Sequence, residues 1–221
     1  MSTLAEAESR PLIIAIDGPA ASGKGTLARR LAAHYGLRHL DTGLTFRAVG
    51  AALIEQGRPL DDEAAAIAVA ETLDLEHLDR ARLNLHGIGD AASRVAVMPG
   101  LRRVLVDRHR AFAHHGAGAV LDGRDIGTVV LADAPVKLFV DADPRTRARR
   151  RTAEMAARGA AIDEADVLAD LLRRDKRDAE RATAPLKPAP DAHLLDTTGM
   201  DIEAAFRAAV DIVERATADR K

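Results

Sequence analysis

The segment LIIAID, residues 12–17, is apolar almost without a break, the pattern of a strand covered on both faces. After it the apolar spacing changes to a helical one. A helix is expected from within GKGT to about Tyr35, with Leu27 and Leu31 on one face and Gly36 as its C-cap. RHL at 38–40 reads as a weak second strand, Asp41-Thr42-Gly43 as a turn, and residues from about Leu44 to Gln56 as a helix broken by Gly57-Arg58-Pro59. Residues 59–90 are patterned poorly after a brief helical stretch, DDEAAAIAVAETL, and read as a small insertion rather than core. Helical pattern resumes at Ala91, is interrupted at Pro99-Gly100, and continues from Leu101 to Ala113. Buried strands follow at about 118–122 and 136–141. DPRTRARRRTAEMAARG is then an arginine-rich helix with Asp143 as cap and Pro144 in its first position. A further helix spans IDEADVLADLLRRDKRDAERA, a short last strand lies in AHLLDTT, and Ile202, Phe206, Ala209 and Val213 mark the face of a terminal helix. Strands alternating with helices predict a doubly wound α/β domain on a parallel sheet, whose ligands sit beyond the carboxyl ends of the strands.

Composition narrows the candidates. The chain has 221 residues, 47% of them hydrophobic and 2% aromatic, so Leu, Ala, Val and Ile must build the core. So few aromatic residues argue against reading bases by stacking, and a net charge of −2 provides no global basic surface. With no cysteine, disulfides, thiol chemistry and Cys-ligated zinc are excluded. No stretch reaches the roughly 18 apolar residues of a membrane span. Residues 1–10, MSTLAEAESR, lack a signal-peptide core and read as a flexible lead-in to a cytoplasmic protein.

The chemistry begins directly after the first strand. GPAASGKGT, residues 18–26, has the GxxxxGK spacing of a P-loop, in which backbone N–H groups turn inward around a phosphate and the lysine reaches the outer phosphates. The bland alternative is a helix-start turn that binds nothing. One position departs from the common form: Gly25 follows Lys24, and the hydroxyl comes one place later, at Thr26. Asp122, ending AVLD, is the nearest approach to a metal-orienting acid. Asp17 is equally open to a structural or a functional reading, and the eight histidines form no ligand set, so no direct protein ligand for a metal is assigned. Arg47, Arg124, Arg174 and Arg181, the last two read as two turns apart on one helix, are suited to neutralising and aligning an acceptor phosphate. The competing view of Arg174 and Arg181 is a solvated charged face. RTRARRR at 145–151 is either an RNA-binding stripe or a helix closing over donor phosphates. There is no NKxD element for guanine, which disfavours a GTPase switch.

IDGPAASGKGT, LDTGLTFR, AASRVAVMPGLR, DGRDIGTVV, DAPVKLFVDA and RDKRDAERATAPL, in that order over nearly the whole chain, resemble the bacterial cytidylate kinases, a branch of the nucleoside monophosphate kinases. DGRDIGTVV with the downstream RDxxDxxRxxAPL spacing is far more specific than the P-loop. The resemblance implies a kinase core at 11–58 and 91–221, a monophosphate-binding insert at 59–90 and a short lid at about 147–162. It implies ATP at Gly18, Pro19, Ala20, Ala21, Ser22, Gly23, Lys24, Gly25 and Thr26, with Arg147, Arg150 and Arg151 closing over it. The acceptor, CMP or dCMP, would meet Thr42, Arg47, Ser93, Arg102, Arg124, Asp125, Arg174, Asp178 and Arg181, of which Arg124 and Arg181 act with Lys24 in catalysis. Mg²⁺ would accompany ATP. The expected partners are these small nucleotides, with no nucleic acid and no membrane, and a monomer is expected because no coiled-coil repeat demands more. The sequence departs from the family's usual IR(S/T) element in the insert: here it has LNLHGIGDAAS, with Asn84 near the expected arginine. Two rivals remain: a kinase of another monophosphate such as UMP or AMP, and an ATP-dependent RNA-binding module using RTRARRR.

Overall fold

In a computed structural model, which describes residues 11–85, 87–157, 159 and 162–218, the five apolar runs are parallel strands of one sheet: β1 (Leu12–Asp17), β2 (Arg38–Asp41), β3 (Gly118–Gly123), β4 (Val136–Asp141) and β5 (His193–Asp196). They lie in the order β2-β3-β1-β4-β5. Side chains alternate across β1. Ile14 and Ile16 pack with Leu27 and Leu31 of α1 (Lys24–Tyr35) and with Ala209 and Val213 of α9 (Ile202–Ala218). Ile13 and Ala15 face the opposite way, toward Leu40, Phe112, Leu121 and Ile126. Both sheet faces are therefore covered, which is why β1 could be apolar throughout.

Helix boundaries follow local chemistry. Gly36 ends α1 in the left-handed conformation expected of it, its N–H reaching Ala32 and Ala33 carbonyls. The DTG turn proves to be helical: the Asp41 side chain accepts from Leu44 N, so α2 (Thr42–Glu55) starts two residues earlier than the apolar pattern implied. Pro99 does not interrupt a helix but opens one. α5 (Ile88–Val95) stops before it, and α6 (Pro99–Ala113) carries it in the first turn, where its missing N–H costs nothing. Within 59–90 lie α3 (Glu63–Thr72) and the short α4 (Arg80–Leu83). The first of these is more than a surface appendage. Ala66 and Ala70 are fully buried with Val49, Leu53, Leu101 and Leu105, forming a second core with α2 and α6.

α7 (Pro144–Ala156) begins as expected, with the Asp143 carboxylate accepting from Arg145 and Thr146 N–H groups. α8 (Glu164–Ala179) ends earlier than its charged sequence implied. The chain folds back there, with Leu186 N donating to Asp178 O and Ala184 at φ 52, so Arg181 lies past the helix rather than two turns along it from Arg174. The lead-in proposed for residues 1–10 and three positions of the proposed lid, 158, 160 and 161, fall outside the described residues.

The register brings the polar ends together. Asp17 is level with Gly123, and Asp41 with Asp122, so the segments after β1, β2 and β3 leave the sheet side by side. After β3 the chain makes a π-helical turn, Ile126–Val130, which the sequence had not revealed. Asp17 builds it: its two carboxylate oxygens accept from Ile126 N and Gly127 N, each at 2.7 Å. That settles Asp17 as a brace. Asp17→Asn should therefore lower unfolding free energy by about 2–3 kcal/mol, because an amide NH₂ would face a buried N–H. Equilibrium denaturation in urea measures the loss.

Candidate active site

A single cavity of about 810 Å³ opens at this edge, lined by residues of the 18–26 loop, α2, α5, the DGRD segment and α8. The loop is held open from outside. Gly18, at φ 149, passes so close to β4 that a Cβ there would lie 2.0 Å from Val140 O. Arg124 Nη1 donates to Gly18 O at 3.0 Å, and Arg147 Nη1 to Ala20 O at 3.2 Å. The Thr197 hydroxyl donates to Ser22 O at 3.0 Å. With these carbonyls held from outside, the loop's N–H groups remain for an anion in the cavity. Lys24 Nζ rests 3.3 Å from Pro19 O. Burial above all, and then Arg124 beside it, lower its pKa to about 8. Thr26 does not replace the absent hydroxyl at position 25, for it is exposed and accepts from Arg29 Nη2 at 3.2 Å.

On the opposite wall the predicted acceptor residues converge. Arg124 Nε donates to Asp178 Oδ2 at 2.9 Å. Arg47 Nη1 donates to Leu83 O at 3.0 Å and to Asn84 Oδ1 at 2.8 Å, leaving its other guanidinium edge for the cavity. Asn84, read from the sequence only as a departure near the expected arginine, is thus a site residue whose role a neutral amide does not reveal until its partner is seen. Arg47 and Arg174 flank Gly89, each with a nitrogen 3.7 Å from where its Cβ would be. Burial and then Arg174 push Arg47 down to about 10; burial and then Arg124 depress Arg174. Arg181 donates to Ala184 O at 2.9 Å, while its buried Nε has no hydrogen-bond partner among the described residues. Such a cluster of desolvated cations fits an anionic ligand.

Further in, Arg102 and Asp125 form a buried ion pair, with side chains 6% and 9% exposed. Arg102 Nη1 also donates to Ala96 O at 3.3 Å. Burial raises the Asp125 pKa, while Arg102 opposes the rise. Ser93 lines the same part of the cavity, half-buried. Thr42 donates to Asp122 O at 2.9 Å, close against Gly123, where a Cβ would lie 2.4 Å from its hydroxyl oxygen. Asp122 and Asp41 meet near the foot of the loop. Asp122 is held by His39 Nε2 at 2.8 Å and Asp41 by Arg80 Nη1 at 3.2 Å.

The three arginines assigned to closure separate. Arg150 lines the cavity and donates to Thr197 Oγ1, Thr197 O and Met200 O. Arg151 also lines it, paired with Glu154 at 2.9 Å. Arg147 does not belong with them. It is 3% exposed, and its fork is occupied by Ala142 O, Ala20 O and Asp175 Oδ2. It lies beneath the loop as a clamp, with three of its five N–H groups engaged, and is not among the residues lining the cavity. The turn from Thr197 to Ile202, which holds Arg150 and lines the cavity beside it, had been missed.

No group of three or more His, Cys, Asp or Glu able to hold a metal occurs among the described residues, and no described helix is long and apolar enough to cross a membrane. The overall architecture resembles an uncharacterized protein from Eubacterium ventriosum, with a TM-score of 0.55 at 18% identity over 92% of this chain and 98% of that one. It also resembles a gluconokinase from Sinorhizobium meliloti, with a TM-score of 0.53 at 13% identity over 96% and 97%. At those identities the likeness concerns the fold. Sequence similarity reaches further. Cytidylate kinases of Brucella ovis and Brucella suis are 60% identical over 211 residues, covering 96% of this chain and 96% of theirs. The cytidylate kinase profile matches residues 14–215, a span that contains every wall of the cavity, and the chain therefore belongs to the cytidylate kinase family.

Proposed function

We propose that the chain transfers the γ-phosphoryl group of ATP to CMP or dCMP, giving ADP and CDP or dCDP. The observation that carries this reading is the Arg102–Asp125 pair, set in the same cavity as the Lys24 loop and the four acceptor arginines. The acceptor phosphate lies among Arg47, Arg124 and Arg181, with Asp178 and Arg174 on the ribose side. Its oxygen is already a nucleophile, so alignment and charge neutralisation suffice and no general base is required. Lys24 and the arginines offset the charge that spreads over the transferring group. Arg150 and Arg151 hold the donor side, and closure of α7 and the segment after it excludes water. Residues 59–90 serve the acceptor side through Asn84, which accepts from Arg47.

Mg²⁺ fits the foot of the loop. Asp122 and Asp41 are hard oxygen donors there, and a site of one or two carboxylates suits an ion that keeps its waters and the donor's phosphates. When bound, it neutralises charge on the outer phosphates. No coiled-coil repeat in the sequence demands more than a monomer. The small-nucleotide substrates and the absence of a described membrane-spanning helix accord with a cytoplasmic enzyme.

Cytosine offers an amino donor and an unprotonated N3. Arg102 donates to the acceptor edge, and Asp125 or Ser93 accepts from the amino group. Uracil reverses both positions and leaves groups unpaired at roughly 1–3 kcal/mol each. CMP should be preferred over UMP by about one to three decades in kcat/KM. Coupled ADP formation at saturating MgATP with each monophosphate tests this, and equal values for CMP and UMP would remove the assignment.

Lys24 also makes donor binding depend on pH. Its pKa, lowered to about 8 in the empty loop, rises again when a phosphate neutralises it. Binding above pH 8 must take up a proton, so ATP affinity is flat below pH 8 and falls as pH rises through it, by up to about tenfold per unit. Calorimetry at pH 9 in buffers of different ionisation enthalpy should register the uptake.

A further inference from the structure

His39 has no part in the steps above, yet it touches them. It precedes Asp41 by two residues on β2, so both side chains leave the same face of the strand. Its Nε2 lies 2.8 Å from Asp122 Oδ1. An ionised carboxylate only accepts, so Nε2 carries the hydrogen and donates whatever the charge of the ring. The other oxygen, Asp122 Oδ2, lies 3.5 Å from where a Cβ on Gly25 would stand. That is the position from which a P-loop of the common spacing presents its hydroxyl. Here it presents none, and Thr26 is turned to Arg29. The Asp122 side chain is 3% exposed, and among the described residues its carboxylate receives one hydrogen bond, from His39. Repulsion from Asp41 acts on the same carboxylate. One imidazole N–H therefore decides where Oδ2 points.

We propose that His39 is a positioning residue for the donor metal: by holding Asp122 Oδ1 it aims Oδ2 at the space beside Gly25, the orienting task that a hydroxyl at position 25 performs in commoner loops. This rests on Asp122 serving Mg²⁺ in the reading above. The bland alternative is that His39 only satisfies a buried carboxylate, and metal preference separates the two.

The test is calorimetric affinity of the full chain for ATP with Mg²⁺ and for ATP with EDTA, and the readout is the ratio. His39→Leu should weaken binding of MgATP about tenfold and leave binding in EDTA within about twofold. His39→Gln, whose amide N–H can reach the Nε2 position, should recover most of the ratio. So should Gly25→Ser placed in the His39→Leu background, because a Cβ at 25 stands at an ordinary 3.5 Å from Asp122 Oδ2 and its hydroxyl supplies a new donor. Should His39→Leu not fold, His39→Asn, too short to reach Asp122, takes its place. An equal loss with and without metal, or failure of both rescues, overturns the inference. Asp122→Asn distinguishes the two levels. If it abolishes the ratio while His39→Leu keeps it, His39 alone is misassigned. If Asp122→Asn keeps the ratio, the metal reading falls and the inference with it.

Discussion

Lys24→Ala should lower kcat about a thousandfold and leave the unfolding midpoint unchanged or higher. The two halves of this result have one cause. Lys24 is half-buried near Arg124 with one acceptor among the described residues, Pro19 O, and its pKa is driven down to about 8. In the folded protein without ligand, its charge is therefore a cost, and removing it relieves desolvation and repulsion at the loss of one long hydrogen bond, to Pro19 O. The charge becomes favourable only when phosphate oxygens arrive, and most of all when the group in flight carries extra charge. Steady-state kinetics at saturating MgATP and CMP, with thermal unfolding of the same preparation, measures both halves. A folded variant with near-normal kcat would remove Lys24 from the reaction.

Arg147→Met should cost about 3–5 kcal/mol of stability, the largest loss expected from any arginine of α7. The replacement keeps much of the apolar stem but strands three acceptors. Ala142 O and Ala20 O lose their donors, and Asp175, whose Oδ1 already lacks a partner among the described residues, becomes a half-buried charge without its counter-ion. Arg151→Met, with its partner Glu154 nearly half exposed, should change stability by less than about 1 kcal/mol while affecting turnover. Urea midpoints of the two variants make the comparison, and equal stability would show that the fork under the loop is not a clamp.

The difference between these arginines marks where sequence reading stopped. Every strand and the phosphate loop were legible, because a doubly covered strand and a glycine turn express themselves within ten residues. The acceptor wall was legible mainly through family resemblance. RTRARRR looked like one functional unit, yet at positions 147 and 150 the same side chain has opposite duties. What decides is the opposing surface, Ala20 O and Asp175 for one and the open cavity for the other. The same limit hid the role of Asn84 and the π-helical turn, which depend on Arg47 and Asp17, each far away in sequence. The end of α8 was misread for a different reason. DAERATA suits a helix, and the chain leaves it only because of the fold-back at Ala184 before Pro185.

The phosphate loop, translated early, is held by residues translated late. Arg124 reaches Gly18 across 106 positions, Arg147 reaches Ala20 across 127, and Thr197 reaches Ser22 across 175. At synthesis rates of about 5–20 residues per second, the last clamp follows the loop by roughly 10–35 s. During that interval the nascent chain carries the motif without the cradle. An incomplete polypeptide released from the ribosome before Thr197 would lack the last of these holds, and should bind ATP more weakly than the full chain.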